Sequence, residues 1–560
     1  MNTINNKSNS YQQRYILPSL IGRGWGVGLL LTLFTLTSCS DDDFGPDAPK
    51  DWAGTTTFFN SADEAGFQTY YNPAIGRCGD PMPFFDQKAG EFKVLYLQEY
   101  ENNGTCYHPF WGISTRDGAS YQSLGEVLPT GTSTQEADAA LGTGCAVYNE
   151  KDGLYYIYYT GHNVLLKNVE VVLRATSSDF KTWTKDNTWM LKGDDYGYSN
   201  IDFRDPQIFQ AEDGLYHMVI VSNLKFAEFK SADLKTWEHV GQFPMIWDRM
   251  CECPDIFKMG NYWYLVYSEG YRASWSRKVK YMMAETYEGL KACFNDPGAN
   301  WPRDGKEGVL DSRAFYAGKT ASNGTDRYIW GWCPYRTGAT IHDKNINVGA
   351  GGEPNWSGAL VCHRIIQHED GTLTLGEVPA MASKYNQSQS LNVMASNGYS
   401  NGTLTGDDAY VLYNRLGHHN HISFTVKTSN NWDKFGISLT RSTDIDYYYT
   451  MVVNPEDENH RKVNFEQEGY RIVRVIENGK EKEVKVYGKG FIEGIDGYWF
   501  NRPADNTYKI DIYTDNSVMV MYINDVCAYT NRIYGIQKNC WSINNYGGSI
   551  TVSDVKVSQY

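Results

Sequence analysis

The chain has 560 residues, enough for two sizeable domains, and 41% of them are hydrophobic and 21% charged, proportions that favour folded structure over disorder. Its formal net charge of −15, with no basic run, argues against nucleic acid as a partner, because phosphate neutralisation needs clustered Lys and Arg. Aromatic residues reach 14%, which suits β-strands and also the stacking of rings on sugar faces.

The first 39 residues have the layout of an export signal. Arg14 and Arg23 precede an apolar run, 29–34, that is too short to span a bilayer as a stable helix. The run ends in Leu36-Thr37-Ser38-Cys39, which resembles a bacterial lipobox. This resemblance implies that Cys39 becomes the lipidated first residue of the mature protein. A plain secretory signal and a short membrane anchor are the alternatives.

The segment that follows Cys39 is predicted to be a tether. Residues 40–55 are rich in Asp, Pro, Gly and Thr, and they begin with the acidic tract Ser40-Asp41-Asp42-Asp43. In some Gram-negative lipoproteins, an acidic tract at this place accompanies display on the cell surface. We therefore expect an outer-membrane lipoprotein at the cell surface, with a periplasm-facing protein as the alternative.

An oxidising envelope would permit disulfides among the ten further cysteines, but their spacing does not give a connectivity. Cys251-Glu252-Cys253 is the one arrangement that suggests a metal clip. It lacks the Cys-x-x-Cys pair or His-rich partner set of a zinc site, so we predict no metal and no other cofactor. Most of the cysteines are expected to be small buried thiols.

Short aromatic or β-branched runs alternate with Gly, Asn and Asp turns after the tether, which predicts an all-β chain. One unit recurs five times at intervals of roughly fifty to sixty-five residues: a short apolar strand, a polar turn and a Tyr-rich strand. Its copies begin at Gly79, Gly144, Arg204, Glu252 and Phe315. This repeat predicts a five-bladed β-propeller over residues 56–385, since each propeller blade is a four-stranded sheet.

Two near-identical segments support the repeat. Residues 178–183 read Ser-Asp-Phe-Lys-Thr-Trp, and residues 232–237 read Ala-Asp-Leu-Lys-Thr-Trp. Each follows the Tyr-rich strand of one unit. We therefore predict that they are equivalent outer elements of successive blades.

Beyond residue 385 the repeat stops, although the pattern remains that of antiparallel strands. Residues 508–513 and 518–523 flank Thr514-Asp515-Asn516-Ser517 and predict a hairpin. The last strand, 550–557, alternates with one phase slip near Asp554. A β-sandwich over residues 390–560 is the prediction for this part.

Three repeat units carry a carboxylate at the first strand, which in a propeller lines the central channel: Asp80, Asp205 and Glu252. Radial symmetry would bring them together around one axis. Glycoside cleavage uses such a set, in which one acid protonates the leaving oxygen and a second carboxylate attacks the anomeric carbon or activates water. Singly, each has a structural explanation: an Asp-Pro turn, an ion pair with Arg204, or a solvated strand end.

Two motifs make a family resemblance visible. Phe203-Arg204-Asp205-Pro206 and Glu252-Cys253-Pro254-Asp255 resemble the "RDP" and "ECPD" motifs of glycoside hydrolase family 32, which includes invertases, inulinases and levanases. The resemblance extends over most of residues 70–560. Further matching stretches include Leu97-Gln98, Trp111-Gly112-Ile113-Ser114, Gly142-Thr143-Gly144-Cys145-Ala146, Phe315-Tyr316-Ala317, Trp356-Ser357-Gly358 with Arg364, and Asp370-Gly371-Thr372-Leu373.

The resemblance implies that Asp80 is the nucleophile, Glu252 the general acid/base and Asp205 the stabiliser of the transition state. It implies a retaining reaction on fructose polymers, with the Asp80 and Glu252 carboxylates about 5–5.5 Å apart. Four residues would bind the substrate: Arg204, Gln98, Trp111 and Thr143. Trp111 as a core residue is an equal alternative.

The chain also departs from the family pattern. Gly79-Asp80-Pro81-Met82-Pro83 stands where the family usually reads Asn-Asp-Pro-Asn-Gly, Cys251 replaces a common Trp, and Ala314 replaces an Asp. Two alternatives therefore stay open. One is a surface glycan-binding lipoprotein with weakened or lost catalysis, and the other is a family 43-like inverting hydrolase of arabinan or xylan.

Overall fold

The computed structural model describes residues 66–560, apart from 101–105, 224, 245–249, 271–277, 293–307, 335–355, 442–446, 457–462, 478–479, 495–501 and 534. The signal segment, Cys39 and the tether at 40–55 lie outside the described residues. Among the helices of the described part, none combines the length and the apolar character needed to cross a bilayer.

The described part of residues 77–376 forms five groups of four main antiparallel strands, numbered here as blades I to V. Blade I comprises β1 (Arg77–Asp86), β2 (Glu91–Glu99), β3 (Phe110–Thr115) and β4 (Gln122–Leu128). Blade II comprises β5 (Ala140–Asn149), β6 (Leu154–His162), β7 (Glu170–Ser177) and β8 (Thr184–Lys185), with β9 (Leu191–Lys192) also paired to β7. Blade III comprises β10 (Arg204–Gln210), β11 (Tyr216–Ser222), β12 (Lys225–Ser231) and β13 (Glu238–Pro244).

Blade IV comprises β14 (Met250–Met259), β15 (Tyr262–Gly270), β16 (Lys278–Ala284) and β17 (Gly308–Val309), with helix α1 (Tyr287–Ala292) between the last two. Blade V comprises β18 (Tyr316–Ser322), β19 (Arg327–Pro334), β20 (Gly358–Gln367) and β21 (Leu373–Gly376), followed by helix α2 (Met381–Lys384). A single pairing, Cys78 with Gly358, joins blade V to blade I.

The first strands of the five blades, β1, β5, β10, β14 and β18, contact one another in a closed ring. Each repeat unit of the sequence supplies the first two strands of one blade, so the predicted five-bladed propeller is confirmed. Buried side chains fill the spaces between neighbouring blades, as with Leu95 and Tyr159 between blades I and II. Tyr-rich second strands thus supply the core because their side chains pack between adjacent blades.

The two near-identical segments are confirmed as equivalent outer turns, each joining the third strand of its blade to the fourth. In each turn one Asp oxygen accepts two backbone N–H groups, Asp179 from residues 181 and 182 and Asp233 from residues 235 and 236. The residue after the Asp is buried and has a positive φ of 60°, Phe180 and Leu234. Blade I has the same turn at Asp117, although its sequence differs.

The first strand of every blade carries a β-bulge near its beginning. Regular pairing with the second strand is interrupted between Cys78 and Pro81, Gly142 and Gly144, Arg204 and Gln207, Glu252 and Asp255, and Tyr316 and Lys319. Asp205, Cys253 and Ala317 are the first residues inside their bulges, with φ of 56°, 50° and 55°. Left-handed backbone costs about 1–2 kcal/mol at a non-Gly residue, so these positions are held by the surrounding sheets.

The rest of the described chain forms two further sheets that pack face to face. One contains β22 (Gln387–Ser388), β24 (Tyr399–Ser400), β25 (Thr403–Thr405), β27 (His419–Thr428), β32 (Thr507–Asp515), β33 (Val518–Ile523), β34 (Cys527–Arg532) and β36 (Ser549–Gln559). The other contains β23 (Val393–Asn397), β26 (Tyr410–Arg415), β28 (Phe435–Arg441), β29 (Tyr447–Val453), β30 (Val463–Glu477), β31 (Lys480–Gly494) and β35 (Cys540–Asn545). One shared core of buried residues, including Phe424 and Trp541, lies between them.

Two local predictions for the sandwich are confirmed. The hairpin of β32 and β33 turns at Asn516 and Ser517. The phase slip in the last strand is a β-bulge, because pairing of β27 with β36 shifts between Ser423 and Thr425 and Asp554 has a φ of 55°. A bulge adds one residue to a strand and so inverts the alternation beyond it.

Sandwich and propeller share buried polar contacts. Asp515 Oδ2 accepts backbone N–H groups from residues 68, 69 and 70 at 2.7–2.9 Å. The buried guanidinium of Arg532 donates to the carbonyls of Cys333 and Pro334, at the end of β19, at 2.7 and 3.0 Å. Asp311, fully buried, accepts from Thr530 Oγ1 at 2.5 Å. The sandwich therefore braces the N-terminal segment and two edges of blades IV and V.

Nine cysteines lie in the described part, and eight of them are buried. The ninth, Cys106, is partly exposed. The expectation of small buried thiols is thus met at these positions, while Cys293 lies outside the described residues.

Candidate active site

Asp80 lies inside the bulge of β1, and both of its carboxylate oxygens accept hydrogen bonds. Thr143 Oγ1, from the bulge of β5, donates to Oδ2 at 2.7 Å, and the indole Nε1 of Trp332, from β19, donates to Oδ1 at 2.9 Å. Donors from blades II and V therefore fix the carboxylate from both sides. Two such hydrogen bonds orient the carboxylate.

Asp205 is 4% exposed and lies inside the bulge of β10. Its backbone N–H donates to Thr160 Oγ1 at 3.0 Å, and its Oδ2 accepts the backbone N–H of Cys253 at 2.8 Å. Burial raises the pKa of Asp205 to about 7, and the charges of Glu252 and Asp80 add to the rise, while Arg204 opposes it. Glu252 and Asp80 are thus both close enough to Asp205 to influence its protonation.

Glu252 is the last paired residue before the bulge of β14, and it is also 4% exposed. Tyr316 OH, at the start of β18, donates to its Oε2 at 2.7 Å, and Arg204 Nη2 approaches its Oε1 at 3.4 Å. The rings of Tyr316 and Trp332 lie 5.4 Å apart, centroid to centroid. A continuous set of contacts therefore runs from Glu252 through Tyr316 and Trp332 to Asp80.

Arg204 lies among four carboxylates. Its Nη1 contacts Asp202 and lies 3.6 Å from Glu170, and its Nε lies 3.9 Å from Asp205, in addition to the contact with Glu252. Burial disfavours the guanidinium charge, but the carboxylates together raise the pKa of Arg204 well above its ordinary value. One cation thereby offsets part of the negative charge of Asp205 and Glu252.

The thiol of Cys253 belongs to the same cluster. Its Sγ lies 4.0 Å from Thr143 Oγ1. Burial raises the pKa of this thiol well above its ordinary value, and Asp80, Asp205 and Glu252 all add to the rise. Side chains from all five blades therefore converge on one region of the ring of first strands.

The three carboxylates do not occupy equivalent positions of the repeat. Glu252 is itself the last paired residue before the bulge of its strand. Asp205 is the first residue after the last paired residue of its strand, and Asp80 is the second. A bulge re-aims the side chains around it, so consecutive positions on three blades can still meet. The proximity of the carboxylates follows from the bulges together with the symmetry.

Of the four residues that the sequence predicted to bind the substrate, two contact the carboxylates and two do not. Thr143 and Arg204 contact the carboxylates as described above. Gln98 is fully buried opposite Cys78 in β2, and its Nε2 donates to the carbonyl of Ile75 at 2.6 Å. Trp111 lies on β3, two strands away from the ring, where its indole contacts Tyr100 and packs on the propeller core. This placement favours the alternative of Trp111 as a core residue.

Gly79 and Trp356 explain one departure from the family pattern. A Cβ atom built on Gly79 would lie 2.4 Å from Cη2 of Trp356, a distance that no side chain tolerates. The half-buried Trp356 ring also stacks obliquely on His108, with centroids 4.7 Å apart. The Asn that commonly precedes the nucleophile therefore has no room here, because the indole occupies its place.

Sequence reasoning did not select Trp332, Tyr316 and Thr160 as site residues. Trp332 belongs to the Trp-Gly-Trp stretch of the fifth repeat unit, and Tyr316 to the matched Phe315-Tyr316-Ala317 stretch. Blade V lies between blades IV and I, so Tyr316 donates to Glu252 on one side and Trp332 donates to Asp80 on the other. The signal for Tyr316 was present in the family resemblance, whereas Thr160 has no motif that distinguishes it from other strand residues.

Comparison with known proteins places this fold and site in one class. A five-bladed propeller followed by a β-sandwich, with carboxylates on the first strands, defines a class of glycoside hydrolases. The family model "Glycosyl hydrolases family 32 N-terminal domain" matches residues 71–379, and the model "GH32, BT1760-like, C-terminal domain" matches residues 371–557. The chain belongs to glycoside hydrolase family 32, a family of fructofuranosidases, invertases and inulinases.

Individual relatives are distant. Fructan 1-exohydrolase w3 of Triticum aestivum is 26% identical over 57% of this chain and 57% of its own length. Sucrose-6-phosphate hydrolase of Zymomonas mobilis is 28% identical over 37% of this chain and 43% of its own. The matched stretches thus span about half of these relatives. The crystal structure of exo-inulinase from Aspergillus awamori superposes with a TM-score of 0.63 at 15% identity, covering 88% of this chain and 97% of that one, and supports the fold.

Proposed function

We propose that this protein is a glycosidase that cleaves β-fructofuranosidic linkages in fructans of the levan or inulin type. The observation that carries the proposal is the joint arrangement of Asp80, Asp205 and Glu252, which hydrogen bonds from neighbouring blades hold in one region. Arg204 contacts two of them. Family membership and the names of two relatives, a fructan 1-exohydrolase and an exo-inulinase, support a fructan as substrate.

The proposed mechanism is a retaining double displacement. Asp80, held by Thr143 and Trp332, attacks the anomeric carbon of the fructosyl unit while Glu252 protonates the leaving oxygen. A covalent fructosyl-enzyme forms, and Glu252 then removes a proton from the water that hydrolyses it. Asp205 binds sugar hydroxyls and stabilises the oxocarbenium-like transition state. Its raised pKa leaves it able to donate as well as accept near neutral pH.

Sugar release from levan, inulin and sucrose tests this proposal. The wild-type protein should release sugar from at least one of the three, and Glu252→Gln should lose at least about 99% of that activity, since general acid catalysis contributes about 10²–10⁴-fold. The matched control is Glu238→Gln, which alters a carboxylate that is 73% exposed on blade III and should change nothing.

A wild-type protein that binds a fructan but releases no sugar from any of them would contradict the catalytic proposal. The surface glycan-binding lipoprotein would then be the better description. Its motivation is the replaced nucleophile motif, in which Gly79 leaves no side chain to hydrogen-bond the sugar.

Stereochemistry separates the retaining proposal from the family 43-like alternative. The anomer released first from the fructan, followed by NMR before mutarotation, should have the same configuration as the linkage that was cleaved. Net inversion would contradict the assignment of Asp80 as a nucleophile and would favour a base that activates water.

We further propose that lipidation of Cys39 anchors the enzyme to the bacterial outer membrane, at the cell surface. The lipobox-like stretch that ends at Cys39 and the acidic tract behind it support this location. Cys39→Ala should prevent lipidation and release the protein from the membrane fraction. Protease added to intact cells should digest the wild-type protein if it faces outward, and should spare it if it faces the periplasm.

A further inference from the structure

Lys319 is a buried cation in the ring of first strands that the mechanism above does not use. It follows the bulge of β18 directly and is 2% exposed. Its Nζ crosses from blade V to blade II and donates to the carbonyl of Gly144 at 3.0 Å. Within the part of the chain that the structure describes, Lys319 has no carboxylate at ion-pair distance. Burial of a charged lysine without such a partner costs free energy, so an interaction that compensates for this cost is expected.

The surroundings of Lys319 supply such an interaction. Burial is the largest influence on the thiols of Cys145 and Cys253 and raises the pKa of both, and the Lys319 charge lowers both values. The Cys253 thiol is at the same time influenced by Asp80, Asp205 and Glu252. Lys319 and the three carboxylates thus all lie near enough to one thiol to influence its pKa. The chain places a second cation, besides Arg204, next to a cluster of three acids.

Lys319 is also connected to Asp80 through two neighbouring residues of β5. Gly144 follows Thr143, and Thr143 Oγ1 donates to Asp80. Gly144 cannot be replaced, because a Cβ atom there would lie 2.1 Å from the carbonyl oxygen of Tyr158. The lysine therefore holds the bulge of β5 at the point where it presents Thr143.

We propose that Lys319 is a positioning residue of the active site: it fixes the β5 bulge through Gly144 and its charge offsets the mutual repulsion of Asp80, Asp205 and Glu252. This inference rests on the proposed function for its catalytic consequence. The charged and titratable side chains of the first strands near it are Asp80, Cys145, Arg204, Asp205, Glu252, Cys253 and Asp255. Arg204 contacts Asp205 and Glu252. Lys319 instead holds the β5 bulge, whose Thr143 donates to Asp80.

Two substitutions separate charge from hydrogen bonding. Lys319→Met removes both, and Lys319→Gln keeps a donor for the Gly144 carbonyl without the charge. If charge matters, both variants should shift the acidic limb of the kcat/KM profile upward by about one pH unit, which is a tenfold loss at a pH on that limb. The control is Lys258→Met, at the other end of β14, where the side chain is exposed. It should leave the profile unchanged.

A second measurement does not depend on turnover. Removal of a cation beside carboxylates should destabilise the fold more once they are ionised, so the difference in Tm between wild type and Lys319→Met should be larger at pH 8 than at pH 5. Equal differences at both pH values would overturn the electrostatic role, even if the wild-type protein proved inactive on every fructan. Active enzyme whose acidic limb is unmoved in both variants would overturn it as well.

Discussion

Asp80 is held in a single orientation by donors from two different blades. Thr143 and Trp332 each occupy one carboxylate oxygen, so the group cannot rotate without breaking a hydrogen bond. Holding a reacting group in one orientation lowers the barrier of the chemical step. A carboxylate with only a structural role would not need to be exposed to a substrate. Asp80 is partly exposed, unlike Asp205 and Glu252.

Asp80→Asn should therefore abolish turnover while changing the free energy of unfolding by less than about 1 kcal/mol. The Asn carbonyl oxygen can still accept one hydrogen bond, and the Thr143 hydroxyl can reverse to accept from the amide. Sugar release and chemical denaturation, measured on the same preparation, check both parts. A protein that unfolds much more easily yet keeps its activity would identify Asp80 as a structural residue instead.

The raised pKa of Asp205 has a consequence for stability. The folded state holds this proton up to about pH 7, whereas the unfolded state releases it at the ordinary acidic pKa. The stability that Asp205 contributes is thus fully present below its unfolded pKa and is lost as the pH rises through about 7. Above that pH the folded protein carries a buried charge.

Asp205→Asn should remove this penalty. Relative to wild type, the variant should be more stable at pH 8 than at pH 5, by at least about 1 kcal/mol, while turnover is lost. Calorimetry at the two pH values provides the comparison. A stability difference that does not depend on pH would show that Asp205 is ionised throughout.

The sequence predicted the site residues that lie on the first strand of each repeat unit. Asp80, Asp205 and Glu252 were found because each follows the repeat pattern, and the family motifs added Thr143 and Arg204. Trp332 and Thr160 were not found, because their contacts depend on side chains that reach across from neighbouring blades. The spacing of residues along one strand does not show which side chains of neighbouring blades contact each other.

At the scale of the element, the bulged first strand is the unit that builds the site. All five first strands contain the bulge, and three of them have a residue of positive φ inside it. The apolar-then-Tyr-rich pattern predicted these strands correctly. It did not predict the bulges. A bulge is visible in a sequence only where apolar and polar residues alternate strictly enough to show the change of phase, as they do near Asp554.

The close approach of Gly79 and Trp356 can be tested by a double-mutant cycle. Gly79→Ala should cost about 1–3 kcal/mol through overpacking and should displace Asp80, lowering activity. Trp356→Ala in the same chain should recover part of that stability, because the clashing ring is gone. Strictly additive effects of the two substitutions would show that the indole does not restrict residue 79.

At the scale of the whole molecule, the sandwich is bound to the propeller through buried polar groups. Arg532 is fully buried and donates to two carbonyls at the end of β19, immediately after Trp332. Composition and strand patterns predicted both architectures. They could not predict these contacts, because a buried Arg and a buried Asp look like surface residues in a sequence.

Arg532→Met should lower the free energy of unfolding by about 2–4 kcal/mol, since it leaves the carbonyls of Cys333 and Pro334 buried without their donor. Arg502→Met, which removes a partly exposed pair with Glu456, is the matched control and should cost less than about 1 kcal/mol. Equal losses in the two variants would contradict a special role of Arg532 in joining sandwich and propeller.

Capture of the covalent intermediate is the strictest check of Asp80 as the nucleophile. Glu252→Gln should still accept a fructosyl group from a substrate with a good leaving group, such as fructosyl fluoride, but should hydrolyse the adduct slowly. After rapid quenching and digestion, the peptide that contains Asp80 should gain the mass of one fructosyl unit. An adduct on another residue, or rapid turnover of the same substrate without any adduct, would contradict the assignment of Asp80 as the nucleophile.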